Sequence, residues 1–583
     1  MKLTEALGIL NTAKASGRPV SRCVLACNFT PLHLSTFLAA HLQRRRPEVR
    51  IEVVSPVFGD TAANLSARSI AGAGQVVVAL EWTDLDPRLG YRLLGGWRET
   101  QLASMVSSAQ SALDRVRDAI SAAATGVPIV VALPSLRLPP AFHTGGGIAT
   151  ERSLTLRMLV LAFGRRVSEL RNVRVIDSDV LEAMSPIATR HDFKADLTTG
   201  FPYTLAHASA LGVLAARCMA PAAPMKGLIT DLDDTVWKGL VGEVGAAGVS
   251  WEIDRKSQMH GVYQQLLESL ADTGALLAVA SKNNPGVVDA VWSERADMIL
   301  RKESVFPLEV HWRPKSESVA AILERWNIGA DSVVFVDDSP HEVAEVQAAF
   351  PQMTCLLFPK DSYDDAIALF HRLRALFSKE AVLDEDRLRL ASIRNAAEFQ
   401  ERSSGSPVSQ REFLEELRGV ITFTLNPPAE DARTLQLVNK TNQFNVNGVR
   451  RTETEWLAPD TFVISIAYED RLGPLGTIGV LRGAQVGHTV RLDTWVLSCR
   501  AFSRLIEHHT LAFLFNRYDA EAIVIEHQPT PRNSVSTDLL KEFADSVQPG
   551  DVVIRRDAFE SRHPPLDAQV RVKGADASPA PIG

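Results

Sequence analysis

The run GLITDLDDT, residues 227–235, joins four residues of strand character to an acidic cluster. Ligands of open α/β sheets bind beyond the carboxyl ends of strands, so the cluster falls where chemistry is expected. Residues two apart on an extended segment point the same way, which directs Asp231 and Asp233 at one site. Two like charges held close repel, and a divalent cation relieves the repulsion. Hard carboxylate oxygens favour Mg²⁺. With the cation bound, Asp231 stays ionised and can attack phosphorus. Asp233 can then exchange a proton with a leaving oxygen or an attacking water. Thr235 is a candidate substrate-binding hydroxyl.

Downstream strand ends supply the other parts such chemistry needs. The segments ALLAVAS (275–281), DMIL (297–300) and SVVFVDD (332–338) read as further strands of the same sheet. Ser281 and Asn283 stand just past one of them, where hydroxyl and amide groups can hold a phosphate. Lys315, in HWRPK, is a point charge able to neutralise phosphate oxygens and the transition state. Asp337 and Asp338 end another strand and complete a metal set with Asp231 and Asp233. Asp234 reads as structural and Lys282 as solvent-facing.

Outward from this unit, residues 1–222 alternate short apolar strands with longer helical stretches. CVLACNF (23–29), IEVVSPV (51–57), QVVVALEW (75–82), PIVVALP (128–134) and VRVID (173–177) predict a parallel sheet with helices on both faces. The second α/β unit spans 223–378, and a helical linker at 379–407 ends in SSGSP. In 408–558, VITFTLN, TFVISIAYED, GTIGVLRG, HTVRLDTWVLS and EAIVIEHQ alternate as antiparallel strands do, with helices at 409–417 and 503–516. Residues 559–583 read as a partly disordered tail. The chain is thus α/β with three domains, the third a mixed α+β sheet.

Composition narrows the function classes. The 583 residues carry 62 Lys and Arg against 69 Asp and Glu, a net charge of −7. No general affinity for nucleic acid or anionic membrane follows. The longest apolar runs, such as VVVAL at 76–80, fall far short of the ~20 residues of a membrane helix. The start, MKLTEALGILNTAKASGRP, lacks the apolar core of a signal peptide. Five cysteines cannot form a disulfide framework, so the expected compartment is the reducing cytoplasm.

The order DxDxT, strand-end Ser, Lys and DD, over about 110 residues, resembles the haloacid dehalogenase (HAD) phosphatase superfamily. DLDDTVWKGLVGEVG, SKNNPGVV, HWRPKSES and FVDDSPHEVAEV are similar to blocks of its FkbH-like subfamily. Asp234 stands where that subfamily has Asn, and Lys238 where it has Gly. The resemblance implies a HAD Rossmann-like sheet with Asp231 as nucleophile, Asp233 as acid/base, and Ser281 and Lys315 on the phosphate. It also implies a flavodoxin-like first domain of SGNH-hydrolase type and a GNAT-like acyltransferase third domain.

Within the third domain, LVNKTNQFNV (437–446), LDTWVLSCRAFSRLIEHH (492–509) and HQPTPRN (527–533) carry the resemblance. GNAT proteins use R/Q-x-x-G-x-G/A to bind CoA. Here Arg500-Ala-Phe-Ser503-Arg504-Leu505 lacks both glycines, which leaves CoA, a carrier-protein phosphopantetheine arm, or a degenerate site. Arg500 and Arg504 are the candidate substrate-binding residues. FkbH-like proteins are associated with 1,3-bisphosphoglycerate and an acyl carrier protein, holding glyceryl as a cysteine thioester. Cys499 is the candidate thiol, with His508 or His509 as base; a small buried hydrophobe is the alternative. In the first domain no Ser stands in a GDS turn. Cys27 and Thr30 occupy that strand end, and His191-Asp192 lacks the DxxH spacing, so a binding role is expected there.

Overall fold

The computed structural model describes residues 1–57, 59–379, 417–428, 432–441, 444–451, 461–471, 473–498, 504–530 and 533–574, with 382, 393–394, 414–415, 456 and 501. The chain divides into two units, Met1–Ala222 and Ala223–Gly583.

In the first unit, β1 (Val20–Ala26), β2 (Arg50–Val54), β3 (Ala73–Ala79), β4 (Ile129–Ala132) and β5 (Val173–Val175) form a parallel sheet in the order β2-β1-β3-β4-β5. Successive residues of one strand enter different cores. Val76 and Val78 pack on one face, Val77 and Ala79 on the other. That two-sided burial is why the strand is continuously apolar rather than alternating. Each buried Val or Leu contributes roughly 1.5–3 kcal/mol.

The second unit begins with another parallel sheet. β6 (Gly227–Thr230), β7 (Leu276–Ser281), β8 (Leu308–Val310), β9 (Val333–Asp337) and β10 (Thr354–Leu357) take the order β10-β9-β6-β7-β8. Leu228, Val334 and Val336 face one core, Ile229, Val333 and Phe335 the other. A Cβ on Gly227 would stand 2.4 Å from Cζ3 of Trp326, so only glycine lets β6 start against that indole. β6 lies central, with β9 and β7 beside it, and this brings three motif-bearing strand ends together.

DMIL at 297–300 is a turn, not the expected strand. The N–H groups of Ile299 and Leu300 both donate to Oε1 of the buried Gln264, at 3.0 and 3.2 Å. A helix side chain thus takes the place of a sheet neighbour. The fifth strand is instead β8, and the short β10 closes the other edge.

A mixed sheet follows. β11 (Val420–Leu425), β12 (Phe444–Asn445), β13 (Phe462–Asp470), β14 (Gly473–Val486), β15 (Thr489–Leu497), β16 (Ala522–His527), β17 (Gly550–Arg555) and β18 (Gln569–Lys573) take the order β17-β16-β15-β14-β13-β11-β18, with β12 on β15. Alternate residues of β11 (Ile421, Phe423, Leu425) are buried, as expected of a strand with one covered face. The expected tail from 559 is ordered further than its composition suggested. Helix Arg556–Arg562 crosses the expected boundary at 558, and β18 pairs in parallel with β11. Gln569 and Arg571 alternate with the half-buried Val570, which gives the segment an inward face.

Candidate active site

The turn after β6 is held by its own side chains. Asp231 continues the strand, its N–H donating to the Val336 carbonyl at 3.0 Å. Asp234 then takes a left-handed φ of +50°, and its Oδ1 accepts the Gly239 N–H at 2.9 Å. Oδ1 of Asp233 accepts from Nε1 of Trp237 (2.8 Å) and the Val241 N–H (3.1 Å). Its Oδ2 accepts from Nδ2 of Asn283 at 3.0 Å, and the same amide reaches Oγ of Ser281 at 3.2 Å. Three donors fix the Asp233 carboxylate in one orientation and link the ends of β6 and β7. Trp237, four residues on, is a partner that the sequence reading passed over.

Lys315 begins the helix Lys315–Trp326, and only 3% of it is exposed. Its Nζ lies 2.8 Å from Oδ1 of Asp231 and also donates to Oδ2 of Asp337. Asp337, at the end of β9, also accepts the Ser339 N–H at 2.9 Å through Oδ1. Burial pushes both carboxyls above the usual range, against the pull of Lys315. Burial lowers the affinity of Lys315 for its proton, but the two carboxylates reverse this and hold it above the ordinary lysine value. One ammonium thus serves two buried carboxylates, and negative charge remains in excess.

Asp338 adds to that excess. Ligand atoms of Asp231, Asp337 and Asp338 lie within 4.8 Å of one another, a spacing that suits a hard divalent cation. The expected four-carboxylate set is therefore divided. Asp233 is not in this cluster, and both its oxygens accept hydrogen bonds. A residue not anticipated, Lys360 from the loop after β10, bridges Asp338 at 2.8 Å and Asp234 at 3.2 Å. Thr235 is fully buried, and its hydroxyl finds no partner among the described residues. Lys282 is not simply solvated: it pairs with Glu342 at 2.8 Å.

The other sequence candidates separate clearly. Arg504 lines a small cavity with Leu505 and His509. It is paired with the fully buried Asp470 at 3.1 Å and lies over the Tyr468 ring. His508 is held by Glu542 at 3.1 Å, and His509 accepts the Ala568 N–H at 3.4 Å. Cys499 and Arg500 lie outside the described residues. The parallel strands β15 and β16 pair only as far as Leu492 and Ile525. Beyond that point Val446 fills the fork, its N–H on the Trp495 carbonyl and its carbonyl on the Gln528 N–H.

In the first unit, Cys27 is buried with its thiol pushed up to about 12, and Thr30 donates to the Thr199 carbonyl at 2.8 Å. Neither suits a nucleophile. His191 pairs with Asp196 at 2.9 Å, while Asp192 caps the helix Phe193–Thr199. Among the described residues no helix is long and apolar enough to cross a membrane.

No family model and no curated protein matches this chain. Among solved structures, the chain is similar to the N-terminal part of a Bacteroides fragilis protein containing a phosphatase domain, complexed with Mg. The two share 17% identity over 65% of this chain and 100% of that one, with a TM-score of 0.51. A Mesorhizobium loti protein described as a HAD-like phosphatase is 12% identical over 27% of this chain and 91% of its own, with a TM-score of 0.22. A salicylyl-acyltransferase from a tetracycline biosynthetic pathway is 14% identical over 35% and 54%, with a TM-score of 0.21. The Bacteroides likeness is one of fold: this chain shares its α/β architecture with a protein that contains a phosphatase domain.

Proposed function

We propose that the Ala223–Gly583 unit carries a Mg²⁺-dependent phosphohydrolase site of the HAD type, with Asp231 as nucleophile. The observation that carries this reading is the buried Lys315 ammonium held between Asp231 and Asp337 at the carboxyl ends of β6 and β9. A cation fits the donor set: ligand atoms of three carboxylates lie within 4.8 Å of one another, and the one buried ammonium reaches only two of them. Asp231, Asp337 and Asp338 would hold Mg²⁺, which when bound screens the carboxylates and polarises phosphate oxygens.

The chain's own groups then do the following. Asp231 attacks phosphorus in line, and the P–O bond to the leaving alcohol breaks. Asp233, oriented by Trp237 and Asn283, gives that alcohol its proton. Water then attacks the aspartyl phosphate, Asp233 takes the water's proton, and free phosphate leaves. Lys315 and Ser281 neutralise and hold the phosphoryl oxygens.

The finer reading rests on the sequence resemblance. The substrate would be a phosphoglyceryl group derived from 1,3-bisphosphoglycerate, or a similar small phosphorylated acyl group. Glyceryl would pass through Cys499 to the phosphopantetheine of an acyl carrier protein, with the mixed-sheet region as acyltransferase. Phosphate release from p-nitrophenyl phosphate by the full chain tests the coarser reading: release with Mg²⁺ and none with EDTA supports it. Intact-mass analysis after incubation with bisphosphoglycerate tests the finer one, through an acyl adduct that Cys499→Ala removes.

A further inference from the structure

A cavity of about 400 Å³ opens in the first unit, beyond the carboxyl ends of β1, β3 and β4. That is where parallel sheets bind ligands, and the volume falls in the range of small-molecule sites. No residue of the phosphatase reading belongs to it.

Its floor is rigid. Glu81 is buried and accepts four hydrogen bonds: from the Ser135 N–H (3.1 Å), the Ser135 hydroxyl (2.6 Å), the Tyr203 hydroxyl (2.8 Å) and the Leu136 N–H (3.2 Å). Trp82 is fixed by its Nε1 on the Leu136 carbonyl at 2.7 Å. Tyr91 stacks on His191 with centroids 5.3 Å apart, and His191 is anchored by Asp196. The aromatic wall therefore needs no rearrangement to receive a ligand.

The charges around the cavity do not cancel. Besides the Tyr91 phenol, five acidic or basic side chains line it: Glu81, Arg92, Arg137, His191 and Asp196. Glu81 is fully hydrogen-bonded and Asp196 is paired with His191. Arg92 and Arg137 have no hydrogen-bond or ion-pair partner among the described residues. Arg92 is nevertheless placed rather than loose. Its Nη1 lies 2.8 Å from where a Cβ on Gly200 would stand, and Gly200 has a φ of +74° that favours glycine. The guanidinium can fold over the backbone there only because that side chain is absent.

We infer that this cavity is a second, non-hydrolytic binding site for an organic anion. A carboxylate or phosphate head sits on Arg92 and Arg137, and an apolar or aromatic body lies against Trp82, Leu136 and Tyr91. Planar guanidinium forks match either head group.

Titration of the full chain in EDTA with 2-naphthoate, 2-naphthylphosphonate and neutral 2-naphthol tests this, read by calorimetry. Both anions, or one of them, bind at least tenfold more tightly than naphthol, because charge-assisted hydrogen bonds discriminate by about that factor. Tighter naphthoate identifies a carboxylate ligand, tighter phosphonate a phosphate monoester. Arg92→Gln and Arg137→Gln each weaken anion binding roughly tenfold and leave naphthol unchanged. Arg92→Lys and Arg137→Lys, which keep the charge if a glutamine variant melts early, retain most of the anion preference. Naphthol binding as tightly as both anions, no anion binding, or wild-type anion affinity in both glutamine variants overturns the inference.

Discussion

Nζ of Lys315 stands 2.8 Å from Oδ1 of Asp231, and both side chains are less than 10% exposed. The lysine is the first residue of its helix, so its charge enters the site from the end of a rigid element. Lys315→Met leaves Asp231 and Asp337 buried without a counter-ion. Removing one partner of a buried ion pair costs about 3–5 kcal/mol. Thermal melting should show this loss without metal and partial recovery with Mg²⁺. Phosphate release should fall by at least about 10²-fold. A variant that melts like wild type without metal would mean that the buried charges do not depend on Lys315.

Lys360 competes with a cation for Asp338. It is 40% exposed and reaches both Asp338 and Asp234. Lys360→Ala removes a positive charge from the rim, so calorimetric Mg²⁺ affinity should rise several-fold at low salt, and less at high salt. Unchanged or weaker Mg²⁺ binding would place the cation elsewhere.

Arg504 and Asp470 form a buried ion pair in the mixed sheet. Arg504→Leu should cost about 3–5 kcal/mol in urea unfolding, because Asp470 is left buried and charged. Adding Asp470→Asn should recover part of that loss. Equal stability of the single and double variants would show that the two residues do not depend on each other.

His207 gives the first unit a defined acid limit. Its Nε2 meets the Ser135 hydroxyl and its Nδ1 the Ser185 hydroxyl, each at 3.0 Å. Burial is the main cause that lowers its pKa from 6.5 to about 3. The folded state thus binds this proton less readily than the unfolded chain. The stabilisation is complete above about 6.5 and is lost as pH falls toward 3. His207→Gln should flatten the pH dependence of the urea midpoint across that window. An imidazole that titrates near 6.5 by NMR in the native protein would contradict this.

Legibility in the sequence follows physical range. DLDDT could be read because the strand and its acidic cluster are contiguous, and Ser281, Lys315 and Asp337 because each ends or begins an element. Lys360 could not, since it meets Asp234 across 126 residues through a loop with no pattern of its own. The DMIL error has the same origin: three apolar residues after Asp297 carry strand character, but the buried Gln264 amide, 35 residues away from Ile299, satisfies the backbone instead. Arg504 looked available because a loop arginine is usually solvated. Its partner Asp470 ends β13 and is 0% exposed at the side chain.

The central claim is that Asp231 is the nucleophile, and one variant tests it most directly. Asp231→Asn keeps the shape and the oxygen that faces Lys315 but removes the attacking charge. The full chain with this substitution, folded by circular dichroism, should release phosphate from p-nitrophenyl phosphate in Mg²⁺ at no more than about 10⁻³ of the wild-type rate. Wild-type release by the folded variant would contradict the account.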